Sequence, residues 1–148
     1  MVIKQLTDES VQAYVDLIKQ LSPQASIGSL TDRSAFIGLC RLQNKTIFLA
    51  YDEQGKIVGT SSVFLEDKIN RGTHPTTGQL YKVAHIEEVV VDSSARGKGV
   101  GKDLMTYCIN FSRLAGAYKL ILDCSEDNVA FYEKCGLHRH EVAMRIDL

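Results

Sequence analysis

Seven residues, Arg96-Gly97-Lys98-Gly99-Val100-Gly101-Lys102, join the end of a β-branched run to the start of an amphipathic pattern, and their types suit one task, the holding of an anion. The run Ile86-Glu87-Glu88-Val89-Val90-Val91 has the composition of a buried strand. From Val100, the apolar residues Leu104, Met105, Cys108, Ile109, Phe111, Leu114 and Ala115 recur with helical period. A strand that turns through glycines into a helix leaves backbone N–H groups at the positive helix end, with no side chain in a ligand's way. Arg96, Lys98 and Lys102 add charge-assisted donors, which suits two adjacent phosphates better than a carboxylate.

Two familiar phosphate loops do not fit. A P-loop follows its Lys with Ser or Thr for magnesium, and here Lys102 precedes Asp103. The dinucleotide fingerprint spaces its glycines differently and lies in an early βαβ unit, whereas Gly97, Gly99 and Gly101 fall late in the chain.

Composition limits the alternatives. The 148 residues suffice for one domain with a core, residues 1–148, and 17 basic against 18 acidic side chains give a net charge of −1. No global field favours nucleic acid or an anionic membrane, so any anion site is local. No stretch reads as a signal peptide or membrane span, which places the chain in the cytoplasm. Four scattered cysteines, Cys40, Cys108, Cys124 and Cys135, form no close pair and are expected as buried thiols, with no metal site. His138 and His140 read as surface residues.

The elements that must position the loop follow from periodicity and punctuation. Val2 to Leu6 reads as a strand. Asp8 can cap a helix whose face is Val11, Tyr14, Val15, Ile18 and Leu21, and Thr31 a second helix reaching about Gln43. Strands Thr46 to Tyr51 and Lys56 to Leu65 flank the hairpin signal Asp52-Glu53-Gln54-Gly55, and Asn70 to Gln79 is a loop or hairpin tip. There follow a strand Tyr81 to Val91, the glycine loop, a helix to about Ala115, a strand Lys119 to Cys124, a short helix Asn128 to Cys135 and an extended segment His138 to Ile146. The order β-α-α-β-β-β-α-β-α-β describes an α/β fold with a mixed, partly antiparallel sheet flanked by helices. Ligands of such sheets gather at the carboxyl ends of the parallel strands, here near Val91 and Cys124.

The pattern Arg96-x-x-Gly99-x-Gly101 resembles the acyl-coenzyme A loop of the GNAT acetyltransferases. With His85-Ile86-Glu87-Glu88, Asp123-Cys124, Asn128-Val129 and Phe131-Tyr132-Glu133-Lys134-Cys135-Gly136, the chain from His85 onward resembles the glucosamine-6-phosphate N-acetyltransferases among them. Upstream the resemblance rests on Ser26-Ile27-Gly28 and on Glu66-x-Lys68. It departs at Glu88, where that family usually carries Asp, in a longer Asn70 to Lys82 segment, and in the ending Arg145-Ile146-Asp147-Leu148.

The resemblance implies a GNAT fold and acetyl transfer from acetyl-CoA to the amine of glucosamine 6-phosphate. That chemistry needs an acceptor for the amine proton, a polarised carbonyl and a proton for the departing thiolate. Glu87 is the candidate acceptor, directly or through water. Strict strand alternation would put only one of Glu87 and Glu88 on the substrate face. Tyr132, one helical turn beyond Asn128, is the candidate acid toward the thiolate. A backbone N–H among Val89, Val90 and Val91 would polarise the carbonyl.

Cofactor contacts are expected from Val89, Val90, Val91, Arg96, Gly97, Lys98, Gly99, Val100, Gly101, Lys102, Asn128, Tyr132 and Lys134. The resemblance adds Asp123 as amine acceptor through its carbonyl and as a sugar partner through its side chain. Substrate contacts are expected from Ser26, Lys68, Glu87, Glu88, Asp123, Cys124 and Arg145. It also implies a homodimer whose C-terminal segments reach the neighbouring site. Lys68, Arg71, Lys82, Lys119, Arg139 and Arg145 all remain open as phosphate ligands. Two other functions stay open: a GNAT enzyme acting on a protein, polyamine or aminoglycoside amine, and a non-catalytic acyl-CoA sensor.

Overall fold

A computed structural model describes residues 1–25 and 32–148. Its elements are β1 (Val2–Gln5), α1 (Val11–Ile18), α2 (Arg33–Leu42), β2 (Lys45–Tyr51), β3 (Ile57–Asp67), β4 (Lys82–Val91), α3 (Val100–Leu114), β5 (Ala117–Ile121) and α4 (Val129–Lys134). The strands form one sheet in chain order, antiparallel from β1 to β4 and parallel between β4 and β5. A parallel pair needs a crossover, and α3 supplies it with the glycine loop at its entrance.

Each face of the sheet is buried by a different set of helices. Against α3 lie Val58, Val63, Ala84 and Ile86 with Val100, Leu104, Met105 and Cys108. Against α1 and α2 lie Ile47 and Leu49 with Val11, Tyr14, Val15, Ile18 and Ile37. The β2–β3 hairpin forms as expected, because Asp52 Oδ1 accepts the N–H groups of Gln54 and Lys56 at 2.9 Å each.

Several expectations give way to tertiary context. Helix α1 follows a tight turn at Asp8–Ser10 entered from Thr7, whose N–H donates to Ser10 Oγ at 2.9 Å, so Asp8 is not the cap. The helix ends at Ile18 and leaves Leu21 57% exposed, outside the face it was assigned to. Thr31 lies outside the described residues, and Asp32 caps α2 by accepting the Ser34 N–H at 2.9 Å. Leu114, at the solvent side of the last turn of α3, is 90% exposed.

Strand β5 starts at Ala117, two residues before the expected Lys119, and its pairing ends at Ile121, so Leu122 to Cys124 lie beyond it. The segment His138 to Ile146 is not a strand, since nothing among the described residues pairs with it. Its Val142, Met144 and Ile146 are 83%, 91% and 80% exposed.

Candidate active site

The β4 strand does not alternate as its sequence predicts. Thr60 pairs with Val90 and Ser62 with Glu87, so two steps along β3 match three along β4. The extra residue is a β-bulge, and Glu88 takes it up with φ of 55°, a left-handed conformation that costs a non-glycine residue on the order of 1 kcal/mol. Before the bulge, Ala84 and Ile86 pack toward α3; after it, Val89 and Val91 do. Glu87 and Glu88 therefore share the opposite face, which corrects the expectation that only one of them would.

That face holds a built polar cluster. Lys45 Nζ, from β2, lies 3.0 Å from Glu87 Oε2 and 3.1 Å from Glu88 Oε2. Tyr14, from α1, donates its hydroxyl to Glu88 Oε2 at 3.0 Å, and Ser62, from β3, donates to the same oxygen at 3.1 Å. Burial, reinforced by the charge of Glu88 and the hydrogen bond to it, raises the Tyr14 pKa far above that of an ordinary phenol, so Tyr14 is a fixed donor. Burial by itself lowers the Lys45 pKa, but its hydrogen bond to Glu87 and the charge of Glu88 outweigh that and hold it above the ordinary value. A cavity of about 460 Å³ opens beside Glu88 between α1, α2 and β2.

The next row of the same face repeats the motif with other groups. Glu66 accepts from Lys68 Nζ at 2.5 Å and meets His85 Nε2 at 2.9 Å. Lys68 and His85 together hold the Glu66 carboxyl below its usual range. Lys68, expected as a substrate ligand, is thus oriented at the end of β3 rather than loose in solvent. Lys82 is paired with Asp67 at 2.8 Å, and Arg71 stacks on Tyr118 with its guanidinium 4.2 Å from the ring centroid.

Toward its carboxyl end β4 parts from β5. Their pairing runs only from Lys82 to His85, so from Ile86 to Val91 the edge facing β5 has no strand beside it among the described residues. Backbone groups of Val89, Val90 and Val91 lie along that unpaired edge, free to meet a ligand.

The glycine loop follows directly from the carboxyl end of β4 and leads into α3. Asp92 opens it by accepting the Ser94 N–H at 2.9 Å, and hydrogen bonds from the Ser94 hydroxyl and N–H pull the Asp92 pKa down to about 2. Gly97 and Gly99 have φ of 77° and 85°, conformations an L side chain resists, and Gly99 is the N-cap of α3. The first bond into the helix is Asp103 N–H to Gly99 O at 3.0 Å, leaving the N–H groups before it directed out of the helix end. Arg96 and Lys98 are exposed and reach back to the carbonyls of Val91 and Ser94 at 3.3 and 3.0 Å; Lys102 is exposed too.

Gly101 has a packing task beside the one its spacing suggests. It is buried, and a Cβ there would meet Phe131 Cζ at 3.1 Å, so this glycine admits α4 against α3. Val100 is likewise buried under the sheet.

Helix α4 carries Tyr132, half-buried and stacked edge-on to Phe131 with centroids 4.9 Å apart. Burial, with Cys124 and Cys135 nearby, raises the Tyr132 pKa, so it carries its proton at neutral pH. Asn128 is the N-cap of α4 and donates to Ser125 Oγ at 3.1 Å, and Lys134 is its exposed last residue. Asp123 and Cys124 are exposed just past β5.

Of the four cysteines only Cys108 is buried, Cys40 and Cys135 are half-buried and Cys124 is exposed, which corrects the reading of all four as core thiols. Arg145 pairs with Asp147 within its own tail at 2.6 Å, and Arg139 with Glu126 at 2.5 Å. Ser26 lies outside the described residues. Among the described residues no group of three His, Cys, Asp or Glu side chains is placed to hold a metal, and no helix is long and apolar enough to cross a membrane. The sequence singled out Glu87 and Glu88 but not Lys45, Tyr14 or Ser62, which enter from three other elements with no local motif to mark them.

A strand bulge with a carboxylate pair, a splayed parallel neighbour and a glycine loop opening a crossover helix define an acyltransferase fold. Residues 11–137 match the Acetyltransferase (GNAT) family, and the chain belongs to it. Within that family it is 44% identical over 103 residues to the glucosamine 6-phosphate N-acetyltransferase of Trypanosoma brucei brucei, a match spanning 70% of this chain and 65% of that protein. To the enzyme of the same name from Arabidopsis thaliana it is 33% identical over 135 residues, 90% of this chain and 86% of the relative. The crystal structure of glucosamine-6-phosphate N-acetyltransferase from Arabidopsis thaliana superposes with a TM-score of 0.81 at 34% identity, covering 99% of this chain and 97% of that one.

Proposed function

We propose that this protein moves the acetyl group of acetyl-CoA to the amine of D-glucosamine 6-phosphate, giving N-acetylglucosamine 6-phosphate, by direct attack in a ternary complex in the cytoplasm. The observation that carries the reading is the β4 bulge. It sets Glu87 and Glu88 together on the α1/α2 face of the sheet, just where β4 parts from β5, and the names of the similar enzymes from Trypanosoma and Arabidopsis support the acceptor.

In this reading Arg96, Lys98, Lys102 and the N–H groups around Gly97 and Gly99 hold the cofactor's pyrophosphate. Strand N–H groups of Val89 to Val91 hold its arm and polarise the thioester carbonyl, while Asn128, Tyr132 and Lys134 close over the arm. The amine of a glucosamine titrates near neutrality, so it needs an orienting acceptor rather than a strong base. Glu87 takes the amine proton as the N–C bond forms, and the Asp123 carbonyl orients the amine. As the C–S bond breaks, Tyr132 gives its proton to the sulfur, which a dry cleft would otherwise leave as an uncompensated thiolate.

Lys68, already turned onto this face by Glu66, is the first phosphate ligand. The exposed apolar tail of a second copy, carrying Arg145, would cover the site in a homodimer. Release of free thiol from acetyl-CoA, measured over glucosamine 6-phosphate, glucosamine, spermidine, a lysine peptide and an aminoglycoside, tests this. One or two charge-assisted phosphate contacts of about 1.5–3 kcal/mol each give glucosamine 6-phosphate a kcat/KM roughly 10- to 10⁴-fold above glucosamine. The preference is expected to shrink as salt rises. Equal rates on the two sugars, or activity on peptides or polyamines alone, would overturn the substrate assignment.

A further inference from the structure

We propose that Lys45 is a positioning residue for acetyl transfer: from β2 it holds the Glu87 and Glu88 carboxylates together on one face and offsets their mutual repulsion, so that Glu87 is placed for proton acceptance. The proposal rests on the assignment of Glu87 as the proton acceptor.

The bulge that brings both carboxylates to one face also creates a difficulty. Two carboxylates brought side by side repel unless a cation lies between them. Lys45 Nζ lies between them, 3.0 Å from Glu87 Oε2 and 3.1 Å from Glu88 Oε2, with its side chain only 18% exposed. In the register, Lys45 pairs with Phe64 and Phe64 with His85, so Lys45 lies on the same face as His85 and Glu87, two strands away from them, and must extend along the sheet to reach the pair.

The other groups facing the pair do not substitute for it. Tyr14 from α1 is held protonated, Ser62 from β3 is a neutral donor, and Cys40 from α2 has its thiol pKa pushed up by burial. His85, the next residue on the same face of β4, is engaged by Glu66. Lys45 is thus the cation in contact with both carboxylates among the described residues. Glu88, fixed by Tyr14, Ser62 and Lys45, acts as the anchor, while Glu87, its side chain 49% exposed, is free to meet the acceptor.

The test is the pH profile of kcat/KM with acetyl-CoA and glucosamine 6-phosphate for wild type, Lys45→Met, Lys45→Arg, Glu87→Gln and the Lys45→Met/Glu87→Gln double variant. Removing the cation makes proton loss from the pair harder, so the acid limb of Lys45→Met is expected to move up by about one pH unit. The loss would be about tenfold at pH values below the limb and would disappear above it, in kcat more than in KM. Lys45→Arg keeps the limb near the wild-type position, and in the Glu87→Gln background Lys45→Met moves nothing further.

A purely structural role would lower activity equally at all pH values and in both backgrounds. An unmoved acid limb in Lys45→Met, with Glu87→Gln impaired, overturns the role of Lys45 and leaves Glu87 standing. Wild-type activity in Glu87→Gln overturns the acceptor assignment, and the proposal for Lys45 falls with it. Thermal melting of each variant identifies any loss due to unfolding, in which case Lys45→Gln, which keeps a polar stem, repeats the measurement with the same two outcomes.

Discussion

The two halves of this site are built by opposite strategies. The half proposed to hold the cofactor, Asp92 to Lys102, is one continuous segment: a capping Asp, two glycines at positive φ and a helix end, all within eleven residues of sequence. The acceptor half has no such segment, because Tyr14, Lys45, Ser62, Glu87 and Glu88 arrive from α1, β2, β3 and β4 and meet only through the sheet. A site made of backbone N–H groups needs local geometry, since a helix end and a turn supply the donors. A site made of side-chain charges needs partners from several directions, since each buried charge must be compensated.

If the cofactor half is local, a single backbone change there is expected to abolish it. Gly99→Asp forces a side chain onto a φ of 85° and sets a carboxylate against the phosphates. Calorimetry with acetyl-CoA is expected to show affinity at least about 100-fold weaker, equivalent to about 2.7 kcal/mol. Unchanged affinity would break the comparison at its root.

Tyr132 tests whether the acid sits on the cofactor side. Tyr132→Phe keeps the ring packing against Phe131 and removes only the hydroxyl, and with it the proton. Turnover is expected to fall roughly 100-fold with acetyl-CoA affinity nearly constant, as for a donor used in the transition state. Steady-state kinetics with a binding titration checks this, and wild-type turnover would leave Tyr132 as packing.

Gly101 sharpens the boundary between the two tasks of one loop. Because its missing side chain makes room for Phe131 at 3.1 Å, Gly101→Ala is expected to lower stability by about 1–2 kcal/mol while changing acetyl-CoA affinity far less than Gly99→Asp does. Denaturant unfolding beside the same calorimetry separates the two effects, and a large loss of affinity at unchanged stability would return Gly101 to the phosphate site.

The smallest effect concerns the entrance of the loop. The Asp92 carboxyl is depressed to about 2 in the folded protein, below its unfolded value near 4. A depressed acid contributes stability that is present above the unfolded pKa and lost as pH falls through the folded one. Asp92→Asn is therefore expected to flatten the decline in melting temperature between about pH 4 and pH 2. A decline as steep as in wild type would remove Asp92 from the acid response.

The contrast also explains how far the sequence could be read. The glycine loop, the strand before it and the helix after it are announced by composition and period, and the structure places them within a residue or two of expectation. The hairpin at Asp52 is equally legible, because an Asx turn and a positive-φ glycine are local devices. The tail His138 to Ile146 alternates like a strand yet pairs with nothing among the described residues, since a strand needs a neighbour that its own sequence does not name.

What the sequence determined by itself was the family, the glycine turn into α3 and the identity of the acid and carboxylate candidates, each carried by residues close together in the chain. What only the tertiary structure decided was that Glu87 and Glu88 share a face, that Lys45 joins them and that Gly101 serves packing. The reason is register: one extra residue on β4 opposite β3 inverts the alternation after it, and a register exists only between strands.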